Sequence, residues 1–590
     1  MRALVLAVGV LFCGPGLAQQ TADTVAPEGA GAGAVQVPPM LEAAQAAKDA
    51  GRPVEAQTWM IAAAHPLAVE AGARVLAAGG TAADAMVSVQ AVLGLVEPQS
   101  SGLGGGAFLV WHDGQSGEIT TLDGRETAPL AVTPTLFQDE AGEPLQFFDA
   151  VVGGRSVGTP GTPALMADAH ARWGRADWSG LFTDAIRLAE DGFPVSPRLA
   201  GLIAADADHL KVFAETRDYF LPDGAPLTAG QILRNPDYAN TLQLLAQEGV
   251  KAFYTGELAL DIAERVQRSG RNPGVLSPLD LAIYRVKERP AICTPYRGFE
   301  VCGMGPPSSG AITLGQILGL LESFDLAALG SDSPEAWRLI GDASRLAYAD
   351  RGRYLADSDF LPVPLKGLLS PDYLKSRSDL LRGDDALPQV SPGTPEFDHA
   401  LNWADDQSLE LPSTSHISIV DSHGNALSMT TTIENGFGSR LLVRGFLLNN
   451  ELTDFSFATH ENGVPIANAV APGKRPRSSM TPTILRRDGR PVLILGSPGG
   501  SQIIGYVVKT IIAWVDWGMD VQEAVSLPHL VNRFGPYDIE PEASALAEPL
   551  TAMGFEVRET SLTSGLHVIE QGARLFGGAD PRREGLAYGK

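Results

Sequence analysis

Positive charge is scarce in this 590-residue sequence, and no run of lysine or arginine stands out. Lysine and arginine number 44 against 69 aspartates and glutamates, which gives a formal net charge of −25 and a pI of about 4.8. This composition argues against nucleic acid and anionic membrane partners, because both favour a basic surface. We interpret the acidity as a source of solubility.

Metal-binding histidine patterns are also missing. The ten histidines show neither HxH nor HExxH spacing, so we predict no metal site and no cofactor. The glycine-rich run at 101–106 precedes a strand at 108–111, whereas a dinucleotide loop opens a helix. The GxSxG match at 154–158 is followed by Pro160 and Pro163, which disfavour the helix that a nucleophile elbow requires.

Long apolar runs are absent beyond the N-terminus. A helix that spans a membrane needs about eighteen consecutive apolar residues, and no later stretch has them. Arg2, an apolar segment at 3–12 and a small-x-small site at 16–18 predict a signal peptide over 1–18. Cys13 permits a lipoprotein alternative, but Phe12 is larger than the usual residue before a lipidated cysteine. We therefore expect a periplasmic or secreted product without a membrane span.

Only two cysteines, Cys293 and Cys302, follow the signal peptide. Two short strands around Arg297-Gly298 would pair 296 with 299, 295 with 300, 294 with 301 and 293 with 302. The cysteines then form a non-hydrogen-bonded pair, close enough for a disulfide in an oxidising compartment. A register error of one residue would leave two buried thiols instead.

Helices and mostly antiparallel strands alternate along the chain without a repeated βαβ period. Residues 19–55 are rich in Ala, Gly and Pro and predict a flexible leader. Ser333 is the predicted N-cap of a helix that begins with Pro334. Periodicity and turn residues predict further helices at 66–78, 82–95, 179–190 and 503–517, and strands at 416–420, 426–433 and 492–495.

The stretch at 411–434 contains a strand, a turn and a second strand. Pro412 stops any helix, and residues 416–420 alternate as in a half-buried strand. Thr414 therefore lies just outside a strand. If the Ser413–Thr414 bond were cut, the α-amine of Thr414 would serve as general base for its own hydroxyl. From these residues alone, an ordinary Ser/Thr-rich loop entering a strand is the simpler interpretation.

The same stretch resembles the start of the catalytic subunit of the γ-glutamyltransferases, or glutathione hydrolases. The resemblance rests on Thr-Ser-His-Ile-Ser at 414–418 and Val-Asp-Ser-His-Gly-Asn at 420–425, and it extends from about His65 to about Arg533. Further matching motifs are GGG (104–106), DGRETAP (123–129), GTPGTPA (158–164), PPSSG (306–310), LAYADR (346–351), LLNNELTDFS (447–456), KRPRSSMTPT (474–483) and GSPGGS (496–501).

This resemblance implies an α+β fold, the four-layer αββα sandwich of the N-terminal-nucleophile hydrolases. Cleavage between Ser413 and Thr414 would yield a large subunit, 56–413, and a small catalytic subunit, 414–590, which both contribute strands. The implied activity is γ-glutamyl hydrolysis or transfer, from a small-molecule donor such as glutathione to water, an amino acid or a peptide.

The resemblance also implies roles for individual residues. Thr414 would supply both nucleophile and base, with its hydroxyl hydrogen-bonded by Thr432. Gly499 and Gly500 match the glycines that stabilise the oxyanion. The residues matching the donor site are Arg125, Ser478 and Ser479 for the α-carboxylate, and Glu451 and Asp454 for the α-ammonium. For His416 and His423 we expect hydrogen bonding within the hairpin.

Two departures from the family pattern bear on the substrate. Glu434 stands where many members have asparagine, which places an extra anion beside the donor ammonium. The segment at 455–473 is shorter than the usual lid loop and lacks its tyrosine. Relatives with these features grade into cephalosporin (glutaryl) acylases, so an acylase with the same mechanism is one alternative. An uncleaved, inactive periplasmic binding protein is another.

Overall fold

A computed structural model describes residues 35–399, 402–406, 408, 411 and 413–590. The predicted signal peptide and the first part of the predicted leader lie outside the described residues. None of the described helices is long and apolar enough to cross a membrane.

Two seven-stranded sheets form the centre of the described chain, and neighbouring strands run antiparallel in both. The first sheet has the order β14-β2-β8-β9-β3-β4-β5 and the second the order β1-β13-β12-β11-β10-β7-β6. Their strands are β1 Val54–Ala56, β2 Met60–Ala63, β3 Gly106–His112, β4 Ile119–Gly124, β5 Lys287–Arg289, β6 Ile292–Tyr296, β7 Phe299–Gly303, β8 Ser415–Val420, β9 Ala426–Thr432, β10 Thr483–Arg487, β11 Arg490–Gly496, β12 His567–Gln571, β13 Leu575–Ala579 and β14 Leu586–Gly589.

Shorter strands lie outside these sheets. They are Phe193–Pro194 with Ile232–Leu233, Leu442–Val443 with Phe446–Leu447, His460–Glu461 with Val464–Pro465, and the set Leu530–Asn532, Tyr537–Ile539 and Val557–Glu559.

Helices cover the outer faces of both sheets. Those before residue 300 are α1 Glu42–Asp49, α2 Pro66–Ala77, α3 Ala82–Val96, α4 Phe147–Val151, α5 Thr162–Trp173, α6 Thr183–Asp191, α7 Pro197–Ala205, α8 Ala207–Leu210, α9 Ala214–Phe220, α10 Pro236–Glu248, α11 Lys251–Tyr254, α12 Glu257–Gln267 and α13 Pro278–Ile283. Those after it are α14 Gly310–Leu321, α15 Leu326–Leu329, α16 Pro334–Tyr354, α17 Leu365–Leu368, α18 Pro371–Ser378, α19 Ile503–Val515, α20 Val521–Ser526 and α21 Ala547–Ala552.

The sheets stack face to face, and strand alternation decides which side chains meet. In β2, Met60 and Ala62 join the apolar layer between the sheets, whereas Ile61 and Ala63 join the core under α2 and α3. On the other side, α14, α16 and α19 pack on the second sheet. The layers run helix, sheet, sheet, helix, which confirms the predicted αββα sandwich.

The prediction of a half-buried strand at 416–420 is wrong. All of β8 is buried, because its second face meets the other sheet rather than solvent. Ile417 and Ile419 pack under the helices, while the Ser418 hydroxyl donates to the His567 carbonyl of β12 at 3.0 Å. A polar residue at every second position therefore marks contacts between the sheets here.

Strands from both sides of the 413/414 bond build the first sheet. β8 and β9 follow the bond, and they lie between β2 and β3, which precede it. Cutting this bond would therefore leave two chains that share one sheet and one core.

The prediction of a flexible leader over 19–55 is wrong for its last part. Residues 42–49 form α1, and Lys48 on this helix donates to the carbonyls of Arg583 and Gly585, both at 2.7 Å. β1 follows and pairs with β13 at the edge of the second sheet. Ala and Gly content alone did not reveal these tertiary contacts.

The hairpin β6–β7 has the register expected from its two-residue turn. Residues 296 and 299, 295 and 300, 294 and 301, and Cys293 and Cys302 lie opposite each other. The Cα atoms of the cysteines are 4.0 Å apart, and their sulfur atoms are bonded.

Candidate active site

Thr414 and Thr432 face each other at the end of the β8–β9 hairpin. The antiparallel register pairs Ser415 with Thr431, so the next pair outward is Thr414 and Thr432. Their hydroxyl oxygens are 3.2 Å apart, and both hydroxyls reach the Ser413 carbonyl oxygen, at 2.5 and 2.8 Å respectively. The intact chain thus holds two hydroxyls on the carbonyl of the predicted cleavage site.

Contacts from distant parts of the chain fix the backbone around this bond. The Ser413 hydroxyl donates to the Gln99 carbonyl at 2.7 Å, and Arg583 donates to the Thr414 carbonyl at 3.0 Å. The Ser415 hydroxyl donates to the Glu97 carboxylate at 2.9 Å. Sequence analysis missed these supporting residues, because nothing local marks them.

The glycine motif at 104–106 lets β3 approach β9 closely. Gly106 pairs with Thr432 across the sheet. A Cβ on Gly105 would lie 1.9 Å from the Thr432 carbonyl oxygen, and one on Gly106 would lie 2.2 Å from the Glu126 carboxylate. The motif therefore serves to position Thr432, a role the sequence did not reveal.

Gly499 and Gly500 follow β11 in a backbone conformation that favours glycine. Their φ angles are +136° and +55°, and a Cβ on Gly499 would lie 2.5 Å from the Tyr506 ring. β11 ends at Gly496, where a Cβ would lie 2.3 Å from the His416 ring. The loop thus leaves the second sheet beside the first residues of β8.

Arg125 brings together several of the predicted donor-site residues. It follows β4, is 1% exposed, and donates to the carboxylates of Glu451 and Asp454, the latter at 2.5 Å. Two further N–H groups donate to the Pro476 and Arg477 carbonyls at 3.2 and 2.9 Å. The structure thus pairs the guanidinium with the two carboxylates that the sequence assigned to the donor ammonium.

Ser478 and Ser479 continue the segment whose carbonyls bind Arg125. The Ser478 hydroxyl accepts from the Met480 N–H at 3.1 Å. The Ser479 hydroxyl accepts from Arg351 at 2.7 Å. Arg351 lies in the LAYADR motif at 346–351, so the motif was visible in the sequence but its partner was not.

Glu434 lies just beyond β9 and is buried. Its backbone is in the left-handed region, with a φ of 75°, and its N–H donates to the Thr432 hydroxyl at 2.9 Å. Its carboxylate accepts from Asn450 and from the Leu411 N–H, the latter at 3.3 Å. Leu411 precedes the predicted cleavage site, so in the uncleaved chain its N–H occupies this carboxylate.

Carboxyl groups crowd the interior around Arg125. Burial is the largest influence on Glu126, and it raises the pKa of this residue to about 7. Burial also raises the pKa of Glu451 well above its usual value, and the neighbouring Glu126 and Glu434 carboxylates raise it further, while Arg125 opposes them. Glu126 was missed, although it directly follows Arg125 in the matching DGRETAP motif.

His416 forms hydrogen bonds within the hairpin, as predicted. Its ring nitrogens lie 2.9 Å from the Thr430 hydroxyl and 3.0 Å from the Ser418 hydroxyl. Burial holds its pKa well below the usual value, so the ring stays neutral. His423 is an exposed turn residue whose ring lies 3.1 Å from Arg175, outside the hairpin.

Ser156, the centre of the GxSxG match, is not a nucleophile elbow. It lies in a short 3₁₀ turn and is fully buried. Its hydroxyl donates to the Val151 carbonyl at 2.7 Å. No helix follows Ser156 directly, since α5 begins only at Thr162, and the rejection of a nucleophile elbow agrees with that geometry.

The chain is similar to known proteins over most of its length. The sequence model of the family Gamma-glutamyltranspeptidase matches residues 68–589. The chain is 38% identical over 545 residues to a glutathione hydrolase proenzyme of Bacillus subtilis (strain 168), covering 90% of this chain and 91% of that protein. It is 34% identical over 532 residues to an acylase proenzyme of a Pseudomonas species, covering 88% and 90% respectively.

A solved structure agrees with the fold over the same extent. The cephalosporin acylase from Bacillus halodurans superposes with a TM-score of 0.81 at 27% sequence identity, covering 91% of this chain and 97% of that one. With the family match spanning most of the sequence, the chain belongs to the γ-glutamyltranspeptidase family.

Proposed function

We propose that this chain is a self-processing γ-glutamyl hydrolase and transferase. It cleaves the γ-glutamyl amide of glutathione and related donors, and passes the acyl group to water, an amino acid or a peptide. The observation that carries this proposal is the convergence of the Thr414 and Thr432 hydroxyls on the Ser413 carbonyl oxygen.

Processing begins at this carbonyl. The Thr414 hydroxyl oxygen attacks the Ser413 carbonyl carbon while Thr432 hydrogen-bonds the carbonyl oxygen. The peptide bond breaks, its nitrogen takes up the proton lost from the hydroxyl and becomes the α-amine of Thr414, and Ser413 is left as an ester on the Thr414 oxygen. Water hydrolyses the ester and releases the new N-terminus.

Turnover repeats the same chemistry on a donor. The α-amine of Thr414 has a pKa near neutrality and takes the hydroxyl proton as the oxygen attacks the γ-carbonyl. Backbone N–H groups at Gly499 and Gly500 stabilise the oxyanion. The amine product leaves with a proton, and water or an acceptor amine resolves the acyl-enzyme.

Donor recognition uses the ion-pair network around Arg125. The guanidinium and the Ser478 and Ser479 hydroxyls bind the α-carboxylate, while Glu434, Glu451 and Asp454 bind the α-ammonium. In the intact precursor Arg125 is bonded to Glu451 and Asp454. A bound donor therefore replaces these ion pairs. Its α-carboxylate accepts hydrogen bonds from Arg125, and its α-ammonium donates to the carboxylates of Glu451 and Asp454.

The proposed enzyme is exported and works as two associated subunits. The signal peptide directs it to the periplasm or the medium, where the Cys293–Cys302 bond is stable. Strands from both subunits share the first sheet, which supports a lasting association after cleavage.

A cephalosporin or glutaryl acylase is the second candidate, favoured by the similarity to acylases over most of the chain. The two candidates differ at the α-ammonium, which a glutaryl amide lacks. Losing a charged hydrogen bond costs roughly 1.5–3 kcal/mol, or about tenfold or more in kcat/KM.

The test compares γ-glutamyl-p-nitroanilide with glutaryl-p-nitroanilide in the wild type and in Asp454→Ala. We expect the wild type to prefer the γ-glutamyl donor. Asp454→Ala should lower kcat/KM for that donor by at least about tenfold and change the glutaryl donor far less. A wild type that prefers the glutaryl amide, with Asp454→Ala changing both donors alike, would replace the transferase with the acylase.

A further inference from the structure

The loop that carries Glu434 is held in an unusual backbone conformation. Residues 433–441 connect β9 to the short strand Leu442–Val443 and include three non-glycine residues at positive φ. These are Glu434, Phe437 and Arg440, at 75°, 63° and 62°. Side chains rarely adopt this region, so the conformation persists only where surrounding contacts hold it.

Arg440 supplies contacts along the length of this loop. Its guanidinium donates to the Gly438 carbonyl at 2.6 Å and to the Asn435 side-chain oxygen at 2.9 Å. Asn435 directly follows Glu434, and its N–H donates to the Asn450 side-chain oxygen at 3.0 Å. Asn450 in turn donates to the Glu434 carboxylate. The Arg440 side chain is thus connected to the Glu434 carboxylate through Asn435 and Asn450.

Arg440 is bonded to Asp206, which precedes the proposed cleavage site in the sequence, whereas Arg440 follows it. Asp206 lies between α7 and α8, and its two carboxylate oxygens accept from Arg440 at 2.9 and 3.1 Å. His209 hydrogen-bonds the same carboxylate at 2.7 Å, and the Phe148 ring lies 5.6 Å from the guanidinium carbon. The pair is buried on the arginine side, with Arg440 only 2% exposed. A fork of this kind fixes orientation as well as distance.

We propose that the Asp206–Arg440 pair positions Glu434 for the donor α-ammonium, and so selects γ-glutamyl donors over donors without an α-amine. This inference rests on the proposed function. The pair touches no donor atom itself and acts through Asn435, Asn450 and the loop backbone. Because Asp206 lies in the large subunit and Arg440 in the small one, the selectivity of the site depends on subunit contact.

Two variants test the pair, and the chain offers a matched control. Asp206→Asn keeps the shape and removes the charge, while Arg440→Lys keeps the charge and removes the fork. Arg444 is a second arginine at positive φ near this loop, and it bonds Asp261 across the same subunit boundary. The Arg444 and Asp261 side chains are 51% and 35% exposed, and they bond each other rather than Asn435, so Asp261→Asn is the control.

Kinetics on the two p-nitroanilide donors supply the readout. Asp206→Asn and Arg440→Lys should raise KM for the γ-glutamyl donor by at least about tenfold, with kcat within about threefold. Their kcat/KM for the glutaryl donor should stay within about twofold, and Asp261→Asn should leave both donors within about twofold. That split supports the proposal, because a general loss of stability lowers the activity on both donors together.

The inference is overturned if both donors lose equally, or if KM for the γ-glutamyl donor does not change. If Arg440→Lys fails to yield the two chains, the milder Asp206→Asn decides. If Asp206→Asn is not processed either, the pair supports folding rather than donor selection, and the proposal falls. Failure of the proposed function looks different, since the wild type itself would then prefer the glutaryl donor.

Discussion

Arg125 joins more of the site than any other single side chain described. Four acceptors from two separate segments, 451–454 and 476–477, meet on its guanidinium. The sequence predicted Arg125 and its carboxylates as site residues but not their mutual bonding. Such contacts arise from the tertiary arrangement of residues more than 300 positions apart, which no local pattern encodes.

Arg125→Ala should abolish most turnover of γ-glutamyl-p-nitroanilide while the chain is still cut at Thr414. Each charged hydrogen bond is worth roughly 1.5–3 kcal/mol, so losing a bidentate contact should cost at least about a hundredfold in kcat/KM. Cleavage survives because it requires no donor. Arg125→Lys should restore little activity, since a point charge does not reproduce the fork.

The measurement for this prediction is a denaturing gel together with kinetics on the same preparation. Two chains with lost activity fit the assigned role. A processed Arg125→Ala enzyme with near-normal KM would remove Arg125 from the donor site.

Glu126 should make stability fall as the pH rises. Its pKa in the folded protein is about 7 against an ordinary value of 4.5, so the folded state binds a proton that the unfolded state has released between these values. The contribution of Glu126 to the free energy of unfolding is therefore complete below about pH 4.5 and is lost as the pH rises to about 7. Glu126→Gln mimics the protonated acid and should remove this loss.

Urea unfolding of Glu126→Gln in a Thr414→Ala background tests this, because the chain then stays single. At about pH 5 the added substitution should change stability little, and at about pH 8 it should stabilise by roughly 3 kcal/mol. A difference that is the same at both pH values would contradict a buried, proton-binding Glu126.

Elements were predicted well where periodicity and caps are local. The helix at 66–78 is observed as α2, the helix with its Ser333 cap as α16, and the strand at 426–433 as β9. The Ser333 hydroxyl accepts from the Ala336 N–H at 3.3 Å, as an N-cap should. Burial was predicted less well, because the polar face of β8 meets another sheet instead of water.

The segment before β1 was predicted to be flexible, but part of it is an ordered helix. Its composition favours flexibility, yet α1 is anchored through Lys48 to carbonyls more than 500 residues away. Neither the anchor nor its partners leaves a signature in the local sequence.

The close approach of β3 to β9 should be necessary for cleavage at Thr414. Gly105→Ala should block cleavage at Thr414, because a Cβ there would lie 1.9 Å from the Thr432 carbonyl and displace the end of β9. Gly102→Ala is the matched control, since its Cβ would meet only the Gly94 Cα, at an ordinary 3.6 Å. Both variants are compared with the wild type on a denaturing gel over time. Equal processing of the two would show that the close approach does not matter.

At the scale of the whole molecule, contacts around the proposed site repeatedly join residues before the 413/414 bond to residues after it. β2 and β3 flank the strands that follow Thr414, and Arg583 near the C-terminus holds the Thr414 carbonyl. Asp206 and Arg440 join the two sides again beside Glu434. A cut between Ser413 and Thr414 therefore changes the chemistry of one residue while the sheets and the core remain shared.

The most direct test is intact-mass and N-terminal analysis of the purified protein, beside Thr414→Ala. We predict two chains in the wild type, the smaller one beginning at Thr414, and a single chain in Thr414→Ala. Thr432→Ala should cleave more slowly, because the Ser413 carbonyl loses one of its two hydroxyl donors. A wild-type protein that stays intact after prolonged incubation, or a small chain beginning at another residue, would contradict Thr414 as the nucleophile and favour an uncleaved binding protein.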